Sequence, residues 1–152
     1  MSASEAILEQ WITRTIASYP GLAVSFLASE KDPFRNPVGH TLREGLATLL
    51  QELLGDDLLG ELNAERVQPA LDAIIRIRAV QDLTPSQAVG FVFLLKPILR
   101  ELAPEHDQAQ LHDRIDRVAL MAFDKYMQCR EQLADIRVSE GRRRMHVRQV
   151  VG

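Results

Sequence analysis

Arg76, Arg78 and Gln81 are the polar residues in this chain that most need an explanation. They stand in the run Ile74-Ile-Arg-Ile-Arg-Ala-Val-Gln81 and interrupt an otherwise apolar helical segment. At helical spacing Arg78 and Gln81 fall near the face of Ile74, whereas Arg76 falls closer to Ala73 and Val80. A guanidinium taken out of water without a partner is costly. At least one of these arginines therefore needs a carboxylate, helix carbonyls or a bound anion. Asp72, Asp82, Glu44 and Glu52 are carboxylates within plausible reach. Two readings stay open: structural ion pairing, and a binding site for a small anionic ligand built from Arg76, Arg78 and Gln81.

Other chemistry finds less support. The four histidines, His40, His106, His112 and His146, form neither an HExxH motif nor a Cys/His cluster. His112 and Asp116 are four apart and share a helix face, but two ligands fall short of the three or four a metal site needs. They read as a surface pair beside Leu111 and Ile115. Haem would need an axial ligand on an apolar helical face. His40 and His106 both fall in first turns without such a face, and aromatics make up only 5% of the chain. No cofactor and no metal is expected. The nucleotide-binding and nucleophile-elbow motifs, GxxxxGK[ST], GxGxxG and GxSxG, do not occur. Cys129, the single cysteine, sits at a core-like position, and a reactive thiolate needs exposure and a nearby base. Asp56 and Asp57 lie in a loop with no apolar surroundings to raise a pKa. No catalytic residue is assigned, and the chain does not read as an enzyme.

These side chains must be carried by one compact unit. The 152 residues suit a single domain with a real core, with 46% hydrophobic and 26% charged residues. A net charge of −3 argues against a general polyanion binder, so no nucleic-acid partner is expected. The charge is uneven: from Arg137 onward five arginines accompany one acid, Glu140. Residues 1–138 read as the helical domain and 139–152 as a basic, flexible tail, in which Arg142, Arg143 and Arg144 could contact an acidic surface. One cysteine rules out a disulfide within the chain and fits a reducing, cytoplasmic setting. The N-terminus carries acids where a signal peptide needs bases. The apolar runs at 89–95 and 118–123 are far shorter than the ~20 residues that span a bilayer.

Nearly every segment has helical period, which predicts an all-α domain of about six helices. Ser2 and Glu5 form a capping-box pattern ahead of the face Ile7, Leu8, Trp11, Ile12 and Ile16. Tyr19-Pro-Gly21 stops that helix, and a short apolar helix is expected over 22–28. Residues 31–37 form a two-proline loop, after which Asn36 caps a helix opened by Pro37 and ended at Gly55. Residues 56–62 read as a weak link. A helix over about 64–81 contains Pro69, expected to kink or restart it. Thr84-Pro-Ser-Gln87 is the clearest start in the chain; its helix runs to about Ala103 with a kink expected near Pro97. Pro104 opens the longest helix, about 105–138, with the stripe Leu111, Ile115, Val118, Ala122, Tyr126, Cys129, Leu133 and Ile136. Around residues 118–123 it is apolar on all sides, which predicts a central position or a subunit interface.

The segment Arg76-Ile-Arg-Ala-Val-Gln-Asp-Leu-Thr-Pro-Ser-Gln-Ala-Val-Gly-Phe-Val-Phe-Leu-Leu-Lys96 resembles the N-terminal domain of the RsbRD family of RsbT co-antagonists. Asp32-Pro-Phe-Arg-Asn-Pro-Val-Gly39 is similar to that family's proline loop, and Trp11 and Ser18-Tyr-Pro20 also match. The resemblance covers roughly Ile7 to Leu102. It implies a helical sensory or regulatory module of stressosome-type signalling, with a globin-like, dimeric fold that holds no haem. In multidomain relatives the module precedes a STAS output domain, so the chain is expected to be a stand-alone version, for which RsbT binding cannot be carried over. The family supplies no catalytic residues. A homodimer acting through protein contacts is expected, with its other partner unidentified.

Overall fold

A computed structural model describes residues 2–18, 30–55, 62–81 and 83–151, with side chains through residue 145. Six α-helices and one 3-10 turn are present among the described residues, and no strand. They are α1 (Ala3–Ala17), α2 (Pro37–Leu53), α3 (Ala64–Ala79), α4 (Pro85–Val89), α5 (Leu95–Leu102) and α6 (Gln108–Val151), with the 3-10 turn Gly90–Val92 between α4 and α5. The expected helix at 22–28, the Tyr19-Pro20-Gly21 stop and Asp56-Asp57 lie outside the described residues.

Three helix starts form as their sequences dictate. Ser2 Oγ accepts from the Glu5 N–H, and the Glu5 carboxylate accepts from the Ser2 N–H, closing the capping box of α1. Asn36 Oδ1 accepts from the Gly39 N–H at 2.9 Å, with Pro37 at the first position of α2. Thr84 and Gln87 close a second box on α4. Asp107 accepts from the Gln110 N–H at the start of α6.

Three expectations need correcting. Pro69 does not restart its helix: α3 runs unbroken from Asn63, which caps it, to Ala79, and Pro69 lies on its exposed side. The segment after Thr84 is not one helix kinked at Pro97. It breaks at residues 90–94, and α5 restarts at Leu95. Pro97 has no N–H to give the carbonyl four residues back and its ring crowds that carbonyl, a cost that falls away in the first turn of α5, where Pro97 stands. The last helix does not end near Val138 but continues through the arginine-rich segment to Val151.

The core is aliphatic, as the low aromatic content requires. Trp11, Ile12 and Ile16 of α1 meet Leu42, Leu46, Leu49 and Leu53 of α2, Leu71, Ile74 and Ile75 of α3, Ile98 and Leu99 of α5, and Leu111, Ile115, Val118 and Ala122 of α6. The α2–α3 and α3–α6 pairs are the principal packing partners, and α1 rests on α2 and α5. Gly45 lets α2 and α3 approach closely: a Cβ there would come within 2.7 Å of Ile74 Cδ1. Arg114 of α6 is buried, and its Nη1 donates to the Glu52 carbonyl near the end of α2. There it satisfies a carbonyl of the last helical turn.

Candidate functional site

The C-terminal end of α3 distributes its three polar residues in three directions. Arg78 is fully buried. Its Nε donates to the Ala88 carbonyl at 2.7 Å, and its Nη2 donates to the Gln87 carbonyl at 2.7 Å and to Ser18 Oγ at 3.2 Å. Its guanidinium carbon stands 5.2 Å from the centre of the Phe91 ring. Phe91 in turn stacks on Trp11, with ring centroids 6.5 Å apart, and its carbonyl accepts from Trp11 Nε1 at 2.8 Å. The break between α4 and α5 explains this network. A five-residue helix leaves carbonyls that no later turn can bond, and Arg78 and Trp11 supply the missing donors. Helix carbonyls are therefore one of the partners of the buried guanidinium.

Arg76 points to the opposite side. It is exposed and pairs with Asp72 one turn earlier, Nε to Oδ2 2.8 Å. Asp72 lies 4.0 Å from Lys125 Nζ of α6, so one carboxylate links the two helices. Asp72 holds the Arg76 pKa above its ordinary value, first through their hydrogen bond and then through their charges. Cys129 is buried beneath this group, and burial pushes its thiol pKa up, with Arg76 acting in the opposite sense. Such a thiol stays protonated and is a poor nucleophile.

Gln81 is half-buried and lies in neither cluster. It lines a cleft of about 380 Å³ between the end of α3 and the middle of α6, together with Ala79, Val80, Arg130, Leu133 and Arg137. The fold therefore does not bring Arg76, Arg78 and Gln81 together. It gathers Gln81 with two α6 arginines, Arg130 and Arg137, that the sequence did not single out as site residues. Their spacing held the signal: Arg130, Leu133 and Arg137 are separated by three and four residues and so share one face.

The remaining titratable groups are spread over the surface. Asp116 pairs with Lys96 at 2.7 Å and not with His112, the surface partner expected from their spacing. His40 pairs with Glu44 and His106 with Glu105. Among the described residues no group of three or more side chains could hold a metal ion. A second depression, about 360 Å³, lies between α1 and α2 and includes Leu8, Ala47, Leu50 and Leu54.

The outer face of α6 carries a further feature. Leu120, Phe123, Met127, Val138 and Met145 are 68%, 44%, 41%, 52% and 63% exposed. With Ala134 and Gly141 between them, their spacing keeps them on one side of the helix, well away from the core face of Leu111, Val118 and Cys129. Phe93 heads this stripe through Lys96, whose Nζ lies 5.2 Å from the Phe93 ring and pairs with Asp116, one turn before Leu120. Ile136, expected in the core stripe, is also exposed, because the body of the domain ends beside Leu133.

The family model described as the RsbT co-antagonist protein rsbRD N-terminal domain matches residues 5–140. The chain belongs to this family. The RsbRD N-terminal match begins within the capping box of α1, includes the proline loop, the Arg78 network and the cleft, and ends just after Val138 on α6. Arg142, Arg143 and Arg144 lie beyond it. No curated protein and no solved structure matches the chain. No helix among the described residues is long and apolar enough to cross a membrane.

Proposed function

We propose that this RsbRD N-terminal domain is a non-catalytic regulatory module that works through protein contacts, and that the outer face of α6 joins two copies of the chain. The observation that carries the reading is the exposed apolar stripe on a helix that outruns its own domain. From residue 134 to 145 every residue of α6 is exposed. An isolated helical stretch of that size is marginal in water, because most helix stability in proteins comes from packing an apolar face. Singly exposed apolar residues are ordinary, but a contiguous row marks an interaction surface. A second α6 laid against the row would bury it and support the overhanging helix. The family description, a co-antagonist in regulation, fits a module that signals by contact rather than by turnover.

Amide hydrogen exchange over residues 131–145 tests this. The amides exchange slowly at concentrations where the chain self-associates. They exchange at rates close to those of an unstructured peptide in the Phe123→Asp, Met127→Asp double variant, while α2 and α3 stay protected. Fast exchange over 131–145 in the unaltered chain at every concentration would contradict the proposal.

A further inference from the structure

We infer that the cleft between the end of α3 and α6 binds a small organic anion: Arg130 and Arg137 hold its phosphate or carboxylate groups, and the Gln81 amide orients them. The cleft is built from residues of one copy of the chain, but Leu133 and Arg137 stand on the stretch of α6 that pairing supports, so the inference rests on the proposed pairing and its test is read at concentrations where the solution mass shows two copies. Arg130 and Arg137 stand two helical turns apart, about 10.5 Å along the axis, and project from one face. At that separation two long side chains can converge on one phosphate or hold two anionic groups at either end of a short molecule. Arg suits both tasks, because its planar fork donates in pairs to carboxylate or phosphate oxygens.

Neither guanidinium makes an ion pair with a described residue, although Glu131, Asp135 and Glu140 lie on neighbouring positions of α6. The other arginines around α3 are already engaged: Arg76 by Asp72, and Arg78 by the carbonyls of Gln87 and Ala88. Among the described residues, the cleft thus holds two positive charges with no carboxylate in its lining. Its volume, about 380 Å³, suits a metabolite-sized molecule. Leu133 lies between the arginines on their own face, and Val80, 65% exposed, lines the α3 side. These side chains offer the non-ionic part of the ligand an apolar seat. The Gln81 side chain supplies both a donor and an acceptor at the rim. The chemistry selects an anion with a small apolar body over a bare inorganic ion.

Titration calorimetry with phenyl phosphate, inorganic phosphate and citrate, paired with amide NMR shifts of the full chain, tests the assignment. Phenyl phosphate is expected to bind, and more tightly than inorganic phosphate, with shifts centred on Gln81, Arg130, Leu133 and Arg137. The Arg130→Gln, Arg137→Gln double variant lowers the affinity at least ten-fold without changing the melting temperature appreciably, because both side chains are exposed. Arg144→Gln, one further heptad along α6, leaves the affinity unchanged. The assignment is overturned if phenyl phosphate produces no heat and no shifts, if its shifts lie elsewhere, or if its binding survives in the double variant.

Discussion

Removing the Arg78 guanidinium strands the Gln87 and Ala88 carbonyls in the core, together with the face of Phe91. A buried carbonyl left without its donor costs about 1–3 kcal/mol. With two such carbonyls, Arg78→Met is expected to lower the unfolding free energy by about 3 kcal/mol in a denaturant titration. Arg78→Lys should recover only part of it, since one ammonium lacks the fork that reaches two carbonyls and the Ser18 hydroxyl. Arg76→Ala, two residues away, should change stability little, because its pair with Asp72 is exposed to solvent. If Arg76→Ala proved the more damaging of the two, the division of roles on α3 would be wrong. Cys129 makes a separate prediction. Its folded pKa lies above the ordinary value because burial disfavours the thiolate. The neutral thiol therefore contributes its full stability below the unfolded pKa, and that contribution declines as pH rises above about 9. The native chain should resist iodoacetamide at neutral pH and react once unfolded; rapid native alkylation would show a more open thiol.

Elements respond to their neighbours as well as to their own patterns. Gly45 stands where α2 and α3 approach each other, so Gly45→Ala must displace the buried Ile74 side chain and should cost about 1–2 kcal/mol. Gly90 has a helical backbone, φ −63° and ψ −18°, and a Cβ there would meet nothing within 4 Å. Gly90→Ala should therefore be neutral or stabilising by up to about 1 kcal/mol, through the unfolded chain's lost freedom. Thermal or denaturant unfolding reads both, and a stabilising Gly45→Ala would refute the close α2–α3 contact. The capping boxes of α1 and α4, the Asn36 cap and the core leucines of α2 were legible in the sequence because each rests on a local pattern. The break at residues 90–94 was not. Gly90 and Pro97 weaken a continuous helix but do not fix where it ends; the open carbonyls at the break are met by donors from Trp11 and Arg78, remote in sequence. The polar residues of α3 show the same dependence. The pattern singles out the end of α3, but whether Arg76 and Arg78 share a surface depends on which neighbouring helix each side meets. The Arg130–Leu133–Arg137 face lay inside a run of charges and became visible only when α3 ended beside it.

At the scale of the whole molecule, the domain places the arginines of α3 in structural roles, and among the described residues the cleft at Gln81 and the outer row of α6 are surfaces left open. About 66 Å of helix follow from the 44 residues of α6 at 1.5 Å per residue, roughly twice the span of a small domain. A helix of that length, half backed by a core and half not, can convey events at the body to whatever lies along its free part. The most direct test of two copies joined along α6 is the solution mass, by sedimentation velocity or light scattering over a dilution series. The expected result is a species of about twice 17.1 kDa that dissociates on dilution, and a single 17.1 kDa species for Phe123→Asp, Met127→Asp, whose helical circular dichroism falls only by the share of the overhanging end of α6. A monomer of the unaltered chain throughout the series, or a dimer that persists in the double variant, would contradict it.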